Sequence, residues 1–465
     1  MTGPSTDIGR DLAVFVDPQT SFDSAASSNL PAAADAVRVI TASVNGKSPF
    51  ALFEDKRGSS TAFGVINQKR TAEWSLECYA SVTTRGTAPD WIDLITSGGW
   101  QLQSDRSATT TTVSGGDTDE VQVASSSGFV VGDAVIIETG NGTGAYEIRR
   151  LTAIDDGGAN RISVSPDLQN TPASGANVKG ALMYKPYDDR DTTPAALTVW
   201  AFNNNSADRA IGGVVGSNSF TLGGDEAARV TFSGTARQDN RMGQTALNGG
   251  IGDGVTDIDI DSGVVIPSDA SSTIPYYYQI DDEVIKVIGV AANVITVATR
   301  GVFGTGGAAA AHLTGALVFP YQPAGTYAGT PVPATSGQLI VEGSAFEAGT
   351  ISVEVDQGII YRENVHGSAY VVDGYVGGKR AVTATLEGWS FYDSTMIQAL
   401  NARDRTSVSV LAQQGEAESA ILAIELPTFY IEEPDMDRGG DEVTVSLSGQ
   451  AVGSAAETEV YLMIG

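Results

Sequence analysis

Only a handful of side chains in this sequence have types and spacings that could do chemistry. The two histidines, His312 in an Ala-rich stretch and His366 in a loop-like one, lack a matched Ser or Cys nucleophile signature. A histidine triad or a His-rich zinc site is therefore not expected, and both read as surface or turn residues. Asp257, Asp259 and Asp261 alternate with Ile258 and Ile260, which puts three carboxylates on one strand face. Such a face could recruit a calcium ion or simply be solvated. Asp435, Asp437 and Asp441 follow Glu432-Glu433; paired carboxylates could hydrolyse a glycosidic bond across a cleft, and the competing reading is a charged turn. The run Gly301 to Gly307 lacks the Lys-Ser/Thr ending of a phosphate-binding loop and reads as a turn. No cofactor, metal or catalytic residue is expected, and the chain is read as non-enzymatic.

Charge narrows the partners. With 27 basic against 56 acidic residues the net charge is −29, so neither nucleic-acid capture nor attachment to an anionic membrane suits the surface. Walls that avoid pairing with phosphates would still suit a channel through which DNA slides, and the competing reading is that the acidity only aids solubility. In so acidic a chain the basic pairs Lys69-Arg70 and Lys379-Arg380 stand out. They suggest ion pairs, either across a subunit boundary or at a strand end within one subunit. The single cysteine, Cys78, rules out an intrachain disulfide framework and reads as a buried thiol in a reducing compartment. The first residues lack an export signal, and no apolar run is long enough to span a bilayer.

The elements that carry these residues are short strands. Apolar alternation recurs between Gly, Asp, Ser and Asn clusters, so the chain is mainly β. It also repeats itself. Lys69-Arg70…Leu76-Glu77 matches Lys379-Arg380…Leu386-Glu387, placing Glu77 and Glu387 on equivalent polar strand faces. A short helix is expected near Pro89–Ile95 and another near Asp393–Leu400. Gly223-Gly224-Asp225-Glu226 and its following strand match Gly439-Gly440-Asp441-Glu442 and the strand after it, with one residue of slip. A smaller module also occurs twice: Val131–Ile136 resembles Ile280–Ile285, Ile162–Val164 resembles Ile295–Val297, and Gly180–Tyr184 resembles Gly315–Phe319.

The expected order is a flexible N-terminal arm (1–32), a first main domain (33–112 and 188–244), and a small β module inserted into it (113–187). A second small module (245–328) and a second main domain (329–465) follow.

The main unit, with its Lys-Arg…Leu-Glu strand, short helix and closing strands after a Gly-Gly-Asp-Glu turn, resembles the tail tube proteins of long-tailed bacteriophages. That resemblance implies two tandem β-sandwich or barrel domains, stacked rings whose subunits add strands to one inner barrel, and a lumen for DNA ejection. It implies hairpin loops reaching the next ring, here Glu54–Gln68 and Gln357–Gly378, aligned on Gly64 and Gly374. If a ring takes six units, three such chains would close it as a homotrimer with pseudo-sixfold symmetry. Tape measure, terminator and distal tail proteins would be further partners. The chain would be assembled in the host cytoplasm and reside in the virion, with no membrane partner. Glu77 and Glu387 become lumen candidates, and Lys69, Arg70, Lys379 and Arg380 interface candidates. The small modules would decorate the exterior. The rival reading is a virion β-sandwich adhesin or a carbohydrate-active protein.

Overall fold

The computed structural model describes residues 12–19, 30–52, 65–140, 144–155, 160–187, 195–303, 309–346, 348–362, 366, 374–376, 378–389, 407–437, 444–455 and 458–465. The chain is nearly all β. It begins with β1 (Leu12–Gln19), β2 (Ala36–Val37), β3 (Val39–Lys47), a hairpin of β4 (Phe50–Leu52) and β5 (Val65–Asn67), β6 (Thr71–Tyr79), β7 (Ser81–Val82), helix α1 (Ile92–Ser97) and β8 (Trp100–Asp105). The first small module follows as β9 (Thr110–Gly116), β10 (Glu120–Val123), β11 (Ala134–Glu138), β12 (Tyr146–Asp155), β13 (Arg161–Ser165) and β14 (Asn177–Gly180). Then come β15 (Leu182–Pro186), β16 (Ala196–Asn203), β17 (Ser206–Gly223) and β18 (Arg229–Met242).

The second module is β19 (Thr245–Ala246), β20 (Asp257–Asp259), β21 (Tyr276–Ile280), β22 (Glu283–Ala291), β23 (Val294–Thr299) and β24 (Leu317–Pro320). After β25 (Thr330–Pro331), the last part holds β26 (Gly337–Val341), β27 (Ser344–Phe346), β28 (Ala348–Asp356) and a hairpin of β29 (Ile359–Tyr361) and β30 (Gly374–Val376). It ends with β31 (Ala381–Trp389), β32 (Val408–Gln414), β33 (Leu422–Asp437), β34 (Thr444–Ala451) and β35 (Tyr461–Ile464).

The duplication is visible in the strand pairing. In the first repeat the hydrogen-bonded order is β2-β1-β16-β17-β18-β6-β3, and in the second it is β27-β26-β32-β33-β34-β31-β28. These are the same elements taken in the same chain order. Irregularities coincide as well: the ladder slips between Val215 and Ser217 on β17 and between Ile431 and Glu433 on β33. A bulge kept at one register position in both copies is a shaping device rather than a defect. Gly234 pairs with Trp74, and Gly449 with Ala384, at matching positions of the two ladders. A Cβ at Gly234 would lie 1.9 Å from the Val214 carbonyl, and one at Gly449 would lie 2.0 Å from that of Tyr430.

Along β6 the apolar residues Ala72, Trp74, Leu76 and Cys78 are buried while Glu73, Ser75, Glu77 and Tyr79 are not. Period-two alternation therefore sorts the strand into a core face and a wet face. The core faces of both repeats meet in one continuous cluster that runs from Val14, Trp74 and Phe232 to Val353, Leu386 and Leu447. Each fully buried Leu, Val or Phe there contributes about 2 kcal/mol relative to exposure. Helix α1 presses Leu94 and Ile95 into this cluster, and Trp91, just before it, donates from Nε1 to the Ser81 carbonyl at 3.1 Å. The helix expected near Asp393–Leu400 lies outside the described residues.

Two expectations are corrected here. The stretch expected to be a flexible arm contains β1, which pairs along its full length with β16 and buries Ala13 to Val16; its apolar Ala-Val-Phe-Val run supplies both a ladder and a core face. Glu432 to Asp437, read as a charged turn, form the second half of strand β33, while Asp441 lies outside the described residues.

The small modules share a topology. β9 to β14 close a barrel in the order β10-β13-β12-β11-β14-β9, and the second module follows β20-β23-β22-β21-β24-β19. A single bridge from Leu247 to Ile260 links the ends of the second series. Of the sequence matches, Ile162–Val164 with Ile295–Val297 agrees with the pairing. The other two do not. The counterpart of Glu283-Val284-Ile285 is Glu147-Ile148-Arg149, because β22 is placed as β12 is, with the same irregularity in the ladder to the next strand starting two residues on, at Leu151 and Val287. The counterpart of Gly315-Ala316 is Gly175-Ala176: both glycines have positive φ, +84° and +88°, and their amides donate to Leu247 and Val113 at matching positions.

Each module sits on the repeat that its place in the chain does not suggest. The first, inserted in the first repeat, packs Ile136, Tyr146 and Ile148 against Ile340, Leu411 and Ala423 of the second repeat. Its stem strands β8 and β15 join the second repeat's sheet through β35. The second module packs Tyr276, Tyr278 and Ile285 against Phe15, Trp200 and Phe202 of the first repeat.

Candidate functional site: an unfinished sheet edge and a hydroxyl-lined face

Long strands create the junction between repeats. The first half of β17 lies between β16 and β18, and beyond the bulge its free side pairs with β28, Ser217 opposite Asp356 through Gly223 opposite Thr350. The counterparts of these two edges, β33 in the second repeat and β3 in the first, are left without such a partner among the described residues. The second half of β33 pairs with β34 on one side, and β3 pairs with β6 on one side. Among the described residues neither has a strand on its other side. Unpaired backbone donors and acceptors along such edges template the addition of another strand.

The face opposite the core carries few large side chains. Its strands expose or half-expose Ser43, Ser75, Ser233 and Ser217 in one cross-strand row, and Ser352, Thr385 and Ser448 in the matching row of the second repeat. Ser217 and Ser233 hydroxyls are 2.8 Å apart, and those of Thr385 and Ser448 are 3.2 Å apart. Hydroxyls bonded to one another across strands form a polar but weakly charged surface. The signal in the sequence was alternation of Ser and Thr with apolar residues, as in Val230-Thr231-Phe232-Ser233 and Val445-Ser446-Leu447-Ser448.

Charges on this face are mostly acidic. Glu77 accepts from Arg229 Nη1 at 2.8 Å, so half of the expected lumen pair is neutralised. Glu387, at the equivalent position of β31, is exposed and has no ion pair among the described residues. Glu354 and Asp356 add two further carboxylates beside the β17–β28 junction. Both Glu77 and Glu387 therefore lie on the wet face of a single continuous sheet, with β18, β17 and β28 between them and four residues out of line along the strands.

The basic pairs have different surroundings. Arg380 bonds within the chain, through Nη1 to Glu459 at 2.7 Å and through Nε to Gln357 at 3.1 Å. Lys379 and Arg70 are exposed and Lys69 is half-buried. The structure does not gather the four into one cluster.

His312 corrects an expectation. It is buried, with Nδ1 2.8 Å from Asp281 and Nε2 2.7 Å from Glu283. The same Glu283 accepts from Arg300 Nε and Nη2 at 2.9 and 2.6 Å and from the amides of Gly301 and Ala310. Burial raises the carboxyl's pKa, but the Arg300 and His312 hydrogen bonds outweigh it and hold it below the ordinary range. In the first module Glu147 plays the same part, accepting from Arg149 Nη2 and the Gln169 amide at 2.5 and 2.9 Å. These glutamates pin the loop that leaves the following strand. His366 is an exposed turn residue. Asp257, Asp259 and Asp261 are all exposed, and Asp257 accepts from Thr296 Oγ1. Among the described residues no cluster of three His, Cys, Asp or Glu side chains is arranged to hold a metal ion. Cys78 is fully buried, and burial pushes its thiol well above the usual range. No described helix is long and apolar enough to cross a membrane.

No protein-family model and no curated protein matches this chain.

Proposed function

We propose that this chain is a structural subunit that closes into a ring by head-to-tail strand addition and stacks into a tube, as phage tail tube proteins do. The observation that carries this reading is the β17–β28 junction, together with the bare counterpart edges at β33 and β3. Applied to a second copy, the same register sets residues 433–437 of one chain against Lys47 to Ser43 of the next. An acidic position then faces Lys47. Six repeats close the ring in the family this chain resembles, so three copies are needed. The hydroxyl face lines the bore, where the scarcity of unpaired cations avoids counterion release from DNA. The modules sit outside.

Electron microscopy and analytical ultracentrifugation test this reading. Trimeric rings or hollow filaments are the expected species. A chain that stays monomeric at high concentration under all salt and pH conditions would sink it.

One observation favours a binding role for the second module. Phe303 is exposed and lies between Tyr277 and Tyr321, with ring centroids 5.7 and 5.6 Å away. Aromatic platforms of this kind stack on sugar rings, so the adhesin reading predicts glycan binding that Phe303→Ala abolishes.

A further inference from the structure

The two hairpins are copies. Phe50, Ala51 and Leu52 pair with Asn67, Ile66 and Val65, as Ile359, Ile360 and Tyr361 pair with Val376, Tyr375 and Gly374. Equal numbers of residues join the arms of each. Gly374 thus stands where Val65 does, one residue from the Gly64 alignment, and Gly64 lies outside the described residues.

Their surroundings differ. The second hairpin is seated on the neighbouring repeat: Ile359 and Tyr361 pack on Ala196 and Val214, and Tyr361 Oη accepts from the Thr235 amide at 3.3 Å. Gly216, in the β17 bulge, lies beside that ring, where a Cβ would meet Tyr361 Oη at an ordinary contact distance of 3.6 Å. Among the described residues the first hairpin has no such seat within the chain. Phe50, Leu52, Val65 and Ile66 are 61%, 54%, 53% and 52% exposed. Phe50, Leu52 and Val65 share one face of this short hairpin and Ile66 points from the other; an exposed apolar face of that kind is one that protein surfaces normally cover.

The ladders identify the vacant seat. Val214 corresponds to Tyr430, Ala196 to Ser407, and Thr235 to Gln450. Tyr430 and Ser407 are half-buried and Gln450 is exposed.

We infer that the β4–β5 hairpin of one copy docks on the Ser407, Tyr430 and Gln450 surface of the next, repeating between chains the contact that Tyr361 makes within one. Phe50 and Leu52 then meet the Tyr430 ring. The inference rests on the ring reading and adds a lateral clasp to it, in place of a hairpin used solely to reach another ring.

Two measurements test the clasp. Phe50→Ser with Leu52→Ser should weaken self-association by at least about 30-fold, the loss expected when central apolar anchors are removed. The monomer's melting temperature should not change, because both residues are exposed. In a mixture of Leu52→Cys chains and Gln450→Cys chains, a short bis-maleimide should give a cross-chain product, while buried Cys78 stays unreacted. Wild-type assembly with an undiminished double-serine variant and no cross-link overturns the clasp and leaves the ring standing. A cross-link formed only within a chain carrying both cysteines, at high dilution, also overturns it. A monomeric wild-type chain overturns both.

Discussion

Arg209 and Glu425 occupy the same register position in the two repeats, opposite Trp200 and Leu411, and carry opposite charges under different modules. Arg209 stacks on Trp200 at 4.5 Å and faces Tyr276 of the second module at 5.6 Å. Glu425 takes Arg150 Nε and Nη2 of the first module at 2.9 and 2.7 Å. One position thus anchors each module, by cation–π contact in one case and a buried ion pair in the other.

Removing one partner of that pair strands the other. Glu425→Ala should lower unfolding stability by about 3 kcal/mol. Arg150→Met combined with Glu425→Leu should recover most of the loss, as read from denaturant melts of the three variants.

Gly234→Ala and Gly449→Ala each push a methyl into a backbone carbonyl that a neighbouring strand holds in place. Each should destabilise by roughly 2–3 kcal/mol or prevent folding. Gly254→Ala, where a Cβ meets nothing within 4 Å, should be neutral within about 0.5 kcal/mol. Equal losses at all three sites would refute the ladder argument.

Asp17 is pushed up to about 6 by burial and then by the Asp35 carboxylate. Its folded pKa lies above its unfolded value, so the folded state holds the extra proton and stability falls as pH rises from about 4 to about 6. Asp17→Asn should therefore raise unfolding stability at pH 7.5 by on the order of 1 kcal/mol for a half-buried group, read from denaturant melts. It should change little at pH 3.5.

Glu283 shows the opposite sign. Its folded pKa is depressed, so it contributes stability above its unfolded pKa that is lost as pH falls through the folded value. Glu283→Gln should cost about 2 kcal/mol at neutral pH, and the gap to wild type should narrow on acidification. A gap that widens toward low pH would contradict the hydrogen-bond account.

The repeat was readable in the sequence where charged residues mark the register, as with Lys-Arg and Leu-Glu around Glu77 and Glu387. It was misread in the small modules, because a run such as Ala134-Val135-Ile136 matches any other short apolar run. Pairing, not residue identity, separates β21 from β22. The exchange of modules between repeats was not legible either, since contacts such as Arg150 with Glu425 join residues far apart in the chain. His312 reads as a surface residue among alanines until Asp281 and Glu283 are brought to both of its nitrogens.

Fusion of the repeats has a consequence for how their edges can change. In a ring of identical single repeats every seam is the same surface, and one substitution strikes them all. Here β28 meets β17 of its own chain, while in the proposed ring β3 would meet another copy. The two boundaries answer to separate selection, and Ile359–Tyr361 and Phe50–Leu52 have already drifted apart in sequence. Half the boundaries can become permanent while the other half stay separable.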